Sequence, residues 1–410
     1  MDNIDNVVDQ QTKGKYWFWI TFIVLVFIVA TCILLLVAGA LRDPTRSMHG
    51  MVSSAIWTTF GPHLLMIGLF CILLSGAGFW SGIRRISAVA LLLTVAASAG
   101  SAFITFSIVS AAYSAGGSAN PISGLWLKPM EGNGPDHEIV FSEVNDQELR
   151  VAMYRAEHVN SEAPVMIYIH GGGFMTGSIV ETDADLRWFA NRGWLVFSVD
   201  YRLWTEEVAT WDLAPQDVAC AVAWVGQNAA AYGGNTDLLS ILGDSAGGNL
   251  AINYSYAAAK REISSDCGGD TLVPGAVVVQ YPAVDPLAIY EHGFPVTGFE
   301  PKMLVSGYLG GEPIEYPERV HAVSSYTYLS ADAPATLIFA PEKDGLVPSW
   351  SVYRFADYAQ LAGVDVELVR IPFASHVYNQ IASNSIGNQA RLSITERYLI
   401  ERGLAPNNSQ

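Results

Sequence analysis

Three long runs without a charged residue crowd the first third of this chain: Tyr16 to Leu41, Ser53 to Phe79 and Ile86 to Tyr113. A bilayer's hydrocarbon core is about 30 Å thick and takes roughly 20 helical residues to cross, so each run is long enough to span it. The first covers 26 residues, too many for the apolar segment of a cleaved signal peptide, and three retained helices are the economical reading. Pro62 and His63 interrupt the second run, which predicts a kinked helix whose polar groups face neighbouring helices. An ionisable group at that depth makes His63 a candidate functional residue, with a merely tolerated histidine as the plainer alternative. Ala96 and Gly100 in the third run have the small-xxx-small spacing that permits close helix packing.

Basic residues in the short flanks set orientation. Lys13, Lys15, Arg84 and Arg85 lie on one side of these spans and Arg42 and Arg46 on the other, which puts the amino terminus inside and everything after Tyr113 outside the cytoplasm. Lys128 narrows that margin. The expected organisation is a tail over 1–15, a multi-pass membrane region over 16–113 with spans at 16–41, 53–79 and 86–113, a Gly/Pro-rich linker over 114–136, a folded domain over 137–405 and a tail over 406–410. The lipid bilayer is the first partner implied. Nothing in the sequence speaks to oligomeric state.

Beyond Gly116 the chain carries 16 Lys and Arg against 35 Asp and Glu, so nucleic acid is excluded as a partner for want of a basic face. Of the four cysteines, Cys32 and Cys71 fall in the spans, Cys220 on an apolar helical pattern and Cys267 in a Gly/Asp-rich loop. This reads as no disulfide framework and no zinc spacing, and it leaves the redox compartment open. No metal site and no organic cofactor is expected.

Short apolar runs then recur with helical patterns between them: 165–169, 194–199, 238–242, 276–280, 335–340 and 364–371. Continuous apolar strands bounded by Gly, Pro or Asp fit a parallel sheet covered on both faces, an α/β fold. The alternating stretches 137–142 and 148–154 suit an antiparallel edge. Between Pro282 and Asp332 the rhythm gives way to aromatic, Gly and Pro residues, as an inserted cap would.

Two motifs carry chemistry. Gly243-Asp244-Ser245-Ala246-Gly247-Gly248 follows one expected strand and precedes a helical stretch, the strand-turn-helix setting that exposes a serine nucleophile. His170-Gly171-Gly172-Gly173-Phe174 follows another strand and can aim bare amides across the same sheet edge. Either motif alone is a weak signal, and the pair in this order is specific. A serine hydroxyl needs a base to take its proton, an acid to orient that base and donors for the developing oxyanion. His376, after the last strand, is the base. His137, His158, His292 and His321 read as surface residues, and His170 as a support of its own loop. Asp344 is the acid, with Glu342 and Asp332 as rivals. The oxyanion donors are the amides of Gly172, Gly173 and Ala246, and His170, Gly171, Gly243, Asp244 and Gly247 support the turns.

From about 137 to 403 the chain resembles the hormone-sensitive-lipase branch of the α/β-hydrolase family, through the two motifs above, Asp200-Tyr201-Arg202-Leu203, Asp344 and His376 in order. The resemblance implies an eight-stranded, mostly parallel sheet with a cap, preceded here by an all-helical transmembrane segment. It also implies esterase activity on relatively short acyl esters. Three departures affect pocket shape: Trp204-Thr205-Glu206 where Ala-Pro-Glu is common, Gly345 where Pro is usual, and Val377-Tyr378 where Gly-Phe is frequent. The function expected is a membrane-anchored serine hydrolase that cleaves small-molecule or lipid esters through an acyl-enzyme. The alternatives are an acyltransferase or deacetylase of envelope glycan or lipid, and a non-catalytic receptor on the same fold. The three spans further suggest substrates that lie in or beside the bilayer and enter through the cap.

Overall fold

In a computed structural model, residues 2–44, 47–144, 147–155, 162–295 and 298–406 are described, with side chains from Gly14 onward. His158 and Arg46 lie outside the described residues, as does the Lys13 side chain. The apolar third forms α1 (Asp2–Ala40), a short α2 (Met48–Ser54), α3 (Trp57–Trp80) and α4 (Arg84–Ser114). Three of these, over Gly14–Ala40, Trp57–Trp80 and Arg84–Ser114, are long and apolar enough to cross a membrane. The second begins four residues later than its composition suggests, because Ser53 and Ser54 close α2, where the Ser47 hydroxyl accepts the Gly50 amide at the amino end. Pro62 lies inside α3, where it withholds the N–H that would bond the Thr58 carbonyl. Gly100 packs against Val37 of α1, whereas Ala96 is exposed, so only one half of that small-residue pair serves the helix contact.

The remainder is an eight-stranded sheet in the order β1-β2-β4-β3-β5-β6-β7-β8. The strands are β1 (His137–Val144), β2 (Gln147–Tyr154), β3 (Ala163–Ile169), β4 (Leu195–Val199), β5 (Gly234–Asp244), β6 (Ala276–Gln280), β7 (Ala335–Pro341) and β8 (Val366–Ile371). β1 and β2 pair antiparallel, as do β2 and β4, and all later pairs are parallel. Every residue of β3, β4 and β6 is buried, as unbroken apolar strands require when helices cover both faces. The helices of this part are α5 (Asp183–Ala190), α6 (Leu213–Asn228), α7 (Ala246–Lys260), α8 (Pro286–His292), α9 (Pro301–Leu309), α10 (Pro317–Val323), α11 (Ser349–Leu361) and α12 (Ile386–Glu401), of which α5, α6, α7, α11 and α12 pack on the strands. Three of these, α8 to α10, fill the stretch between β6 and β7.

The apolar bundle does not stand apart from this sheet. At 1.5 Å per residue the 31 residues of α4 run about 46 Å, well beyond a hydrocarbon core. Its last turns pack against α3, where Thr105 lies beside Gly61, and Ile104, Ile108 and Ala112 are fully buried in one apolar cluster with Ile386, Ala390 and Ile394 of α12. His63 Nε2 donates to the Leu125 carbonyl at 3.1 Å, which gives this histidine a structural partner in the linker.

One expectation is overturned. Cys220 and Cys267 form a disulfide, with Cα atoms 5.3 Å apart. Their contexts hid it, since one sits on the buried face of α6 and the other 47 positions later in a surface loop. Cys32 and Cys71 are free. The loop-entropy relation assigns a cross-link over such a loop about 4 kcal/mol. Replacing both Cys220 and Cys267 by Ser is therefore expected to lower the thermal midpoint of the full chain by several degrees, while the Cys32→Ser variant keeps it; equal midpoints for both would contradict the cross-link.

Candidate active site

β5 ends at Asp244 and α7 begins at Ala246, so Ser245 alone turns the chain from strand to helix. It does so at φ 54° and ψ −112°, a conformation that costs a non-glycine residue of order 1–3 kcal/mol. The neighbours make the turn possible. A Cβ on Gly247 would strike the Ile169 and His170 carbonyls, and one on Gly243 would strike the Gly247 carbonyl. The strained turn is pinned by Ser245 N–H to Gln280 O at 2.9 Å and by Ala283 N–H to Ser245 O at 3.1 Å.

His376 reaches this serine from the loop after β8. Its Nε2 lies 3.1 Å from Ser245 Oγ, and its Nδ1 lies 2.7 Å from Asp344 Oδ2. Asp344 is buried, and its other oxygen accepts the amides of Leu346 and Val347, each at 3.0 Å. That leaves the carboxylate one orientation, with a single oxygen aimed at the imidazole. The rival acids Glu342 and Asp332 are exposed, as are His137, His292 and His321.

Among the described residues, six that are not glycine have positive φ, and five stand on loops at the carboxyl ends of strands: Phe174 after β3, Ser245 after β5, Tyr281 after β6, Phe373 and Val377 after β8. Backbone strain gathered on one edge of an open parallel sheet is where such folds place their sites.

The glycine loop follows β3. Gly172 and Gly173 have φ of +109° and +63°, and a Cβ on Gly172 would run into the Thr176 carbonyl. Gly171 packs against the Ser245 turn, where a Cβ would sit 3.5 Å from that of Ser245. Among the described residues, no backbone or side-chain acceptor takes the amide N–H of Gly172, Gly173 or Ala246. The loop is held from behind: Tyr201 Oη donates to the His170 carbonyl at 2.9 Å, and Arg202 clamps Asp217 with two bonds at 2.8 and 2.7 Å. Trp204, one of the departures from the family pattern, donates its indole N–H to the Gly173 carbonyl at 3.2 Å and its backbone receives support from Phe174 O at 2.9 Å. A larger residue at 204 therefore braces the glycine loop.

Asp244 has a place that motif reasoning does not supply. Buried beside the nucleophile turn, it accepts from Gln380 Nε2 at 3.2 Å, and the Tyr281 hydroxyl lies 3.4 Å from it. Burial raises its pKa, opposed by the positive charge of Arg391. Tyr281 gives its one hydroxyl proton to Asn379 Oδ1 at 2.9 Å, and its ring lies 4.5 Å from that of His376. Tyr281, Asn379 and Gln380 thus tie the serine turn to the histidine loop, and their wide sequence separation leaves no motif to find. Beside Ser245, an apolar cavity of about 30 Å³ is walled by Phe174, Ile289, Leu304, Tyr308, Leu346 and Val347. Phe174 and Tyr308 stack face to face with centroids 3.7 Å apart. No group of three or more His, Cys, Asp or Glu residues able to hold a metal occurs among the described residues.

His170 is buried, and that burial pulls its pKa down from 6.5 to about 4. Asp200 at 3.9 Å is beyond hydrogen-bond reach and does not offset this. The unfolded chain therefore takes up a proton near pH 6.5 that the folded chain refuses until about pH 4, and stability falls as pH drops through that window. The shift corresponds to roughly 3 kcal/mol. Thermal midpoints from pH 8 to 4 are expected to fall less steeply below pH 6.5 in His170→Asn than in the wild type; parallel curves would contradict a neutral buried His170.

The sequence profile of the BD-FAE family matches residues 151–357, just over half the chain. Esterase LipQ of Mycobacterium tuberculosis is 29% identical over 226 residues, which cover 54% of this chain and 52% of LipQ. Carboxylesterase NlhH of the same organism is 35% identical over 127 residues, 31% of this chain and 37% of NlhH. The chain thus spans about half the length of the first of these relatives and less of the second. The probable carboxylic ester hydrolase LipM of that organism is 27% identical over 68% of each chain. Among solved structures, the propionate-bound esterase Est2 of Thermogutta terrifontis superimposes with a TM-score of 0.56 at 24% identity, over 68% of this chain and 97% of that one. The chain belongs to the BD-FAE family, within the hormone-sensitive-lipase-like α/β-hydrolases.

Proposed function

We propose that this protein is a membrane-anchored carboxylic-ester hydrolase working through an acyl-enzyme. The observation that carries the reading is the continuous contact from Asp344 through His376 to Ser245 Oγ. Ser245 attacks the ester carbonyl while His376 Nε2 takes its proton, and the same proton then passes to the departing alcohol. Asp344 holds the Nδ1–H tautomer and stabilises the imidazolium. The amides of Gly172, Gly173 and Ala246 receive the tetrahedral oxyanion. A water, deprotonated by His376, then cleaves the acyl-Ser245 ester and releases the acid.

The relatives named esterase or carboxylesterase support this chemistry. The apolar wall of the cavity beside Ser245 supports an apolar acyl group. Three helices able to cross a bilayer support anchoring. The Cys220–Cys267 disulfide supports an extracytoplasmic hydrolase part, since such cross-links persist in oxidising compartments. It agrees with the orientation drawn from Lys15, Arg84 and Arg85.

Turnover of p-nitrophenyl acetate by the full chain in lipid nanodiscs tests the reading. Ser245→Ala and His376→Ala are each expected to lower kcat at least about a thousandfold, and the double variant no further, as for residues acting as one unit. A Ser245→Ala protein with wild-type turnover would remove the nucleophile from the account, and a well-folded wild type without turnover would favour a binding protein.

A further inference from the structure

The contacts between the apolar bundle and the sheet fall on particular loops. Thr58, in the first turn of α3, donates its hydroxyl to the Tyr378 carbonyl at 2.8 Å in a buried setting. Phe103 of α4 meets Phe373 edge to face, with centroids 5.9 Å apart. From the segment joining α1 to α2, the Arg42 carbonyl accepts Lys343 Nζ at 3.2 Å, and Pro44 packs beside Gly345. Phe373 and Tyr378 bracket His376, and Lys343 and Gly345 bracket Asp344. Among the described residues, the hydrogen bonds that cross this seam reach neither the glycine loop nor the Ser245 turn.

The histidine loop needs such support. It carries two residues with positive φ, Phe373 at 58° and Val377 at 53°, one on each side of His376. Conformations of that kind persist only when their surroundings over-determine them. From inside the sheet, Tyr378 Oη reaches Gln280 at 2.9 Å. From outside, Thr58 holds the carbonyl of the same residue, and Gly387 makes room for it, since a Cβ there would come 2.8 Å from the Thr58 Cβ. His63 and the linker extend the brace: the Lys128 carbonyl accepts the Ser383 amide at 3.0 Å, and Asn384 bonds Ser123 O and Trp126 O at 2.8 Å each.

We infer that the apolar bundle forms part of the frame of the active site, with Thr58 as a positioning residue that sets His376 through the Tyr378 carbonyl. Resting on the hydrolase reading above, this makes the first 114 residues more than a tether. The base must lie within a few tenths of an ångström of its place for proton transfer, and misplacement of about 1 Å can cost a hundredfold in rate. Loss of the Thr58 bond lets the loop relax, lowering the fraction of bound substrate with His376 in register. That loss falls on kcat and leaves KM, because Thr58 lines no part of the cavity.

The test uses the full chain in nanodiscs with p-nitrophenyl acetate, a soluble substrate that needs no membrane presentation. Thr58→Val is expected to lower kcat roughly tenfold with KM within about twofold of wild type, and Thr58→Ser to restore kcat. Thr59→Val, the same change one residue along at a hydroxyl without a partner in the structure, is expected to leave both constants unchanged. Should Thr58→Val not fold, Phe103→Ala, which trims a largely exposed ring, must show the same kcat-selective loss of about threefold. The inference is overturned if Thr58→Val matches Thr59→Val, or if kcat, KM and thermal midpoint fall together and Ser does not rescue them. A wild type without Ser245-dependent turnover overturns the hydrolase reading, and this inference with it.

Discussion

One imidazole joins the structure's distant parts. His376 meets Ser245 on one side and Asp344 on the other, and the three come from turns after β5, β8 and β7. Parallel pairing of β5, β6, β7 and β8 brings those turns to one edge. Placing them there is not enough, because the loops carry strained backbone at Ser245, Tyr281, Phe373 and Val377. The strain is held by buried hydrogen bonds: the Leu346 and Val347 amides on Asp344, Gln280 O on the Ser245 amide, and the Tyr281 hydroxyl between Asp244 and Asn379. Each bond contributes about 1 kcal/mol net, but leaving its buried partner unpaired costs more, so the loops have one low-energy arrangement.

Much of this was legible in the residues. Parallel strands wrapped by helices read as unbroken apolar runs, so β3, β4 and β6 announce themselves, and the change to alternation identifies the antiparallel edge of β1 and β2. Ser245 and the glycine loop are legible because close approach admits only glycine at Gly243 and Gly247. Chain order points to His376 and to a carboxylate before it, but it admits Glu342 and Asp332 as well as Asp344, and only the 2.7 Å contact with His376 singles out Asp344. What stayed hidden depends on contacts between remote segments. The Cys220–Cys267 bond joins a buried helix to a surface loop, Trp204 reaches back 31 residues to the Gly173 carbonyl, and Thr58 meets Tyr378 across 320 residues. The start of α3 was misplaced because hydropathy does not register a helix break, here at Ala55 and Ile56, inside an apolar run.

The relation between bundle and sheet gives the chain its particular character. α4 continues past the length a bilayer requires and buries Ile104, Ile108 and Ala112 against α12. Ordering a helix against a domain in this way fixes orientation as well as distance, which a flexible linker would not do. On the other side, Arg202 clamps Asp217 beside Tyr201, whose hydroxyl holds the His170 carbonyl, and the disulfide ties α6 to the loop after α7. Under the proposed function the two supports divide the site between them. The oxyanion donors are held from the soluble side, while the loops of the acid and base meet the apolar bundle in addition to their own buried bonds.

Under the proposed function the Ser245 hydroxyl, activated by His376, is the one nucleophile of this protein. Reaction of the folded full chain with a fluorophosphonate, followed by peptide mass spectrometry, measures it directly. One phosphonyl group per chain is expected, on the peptide containing Ser245, with labelling abolished in Ser245→Ala and strongly slowed in His376→Ala. An adduct on another residue, or labelling of Ser245 at the same rate without His376, would contradict it.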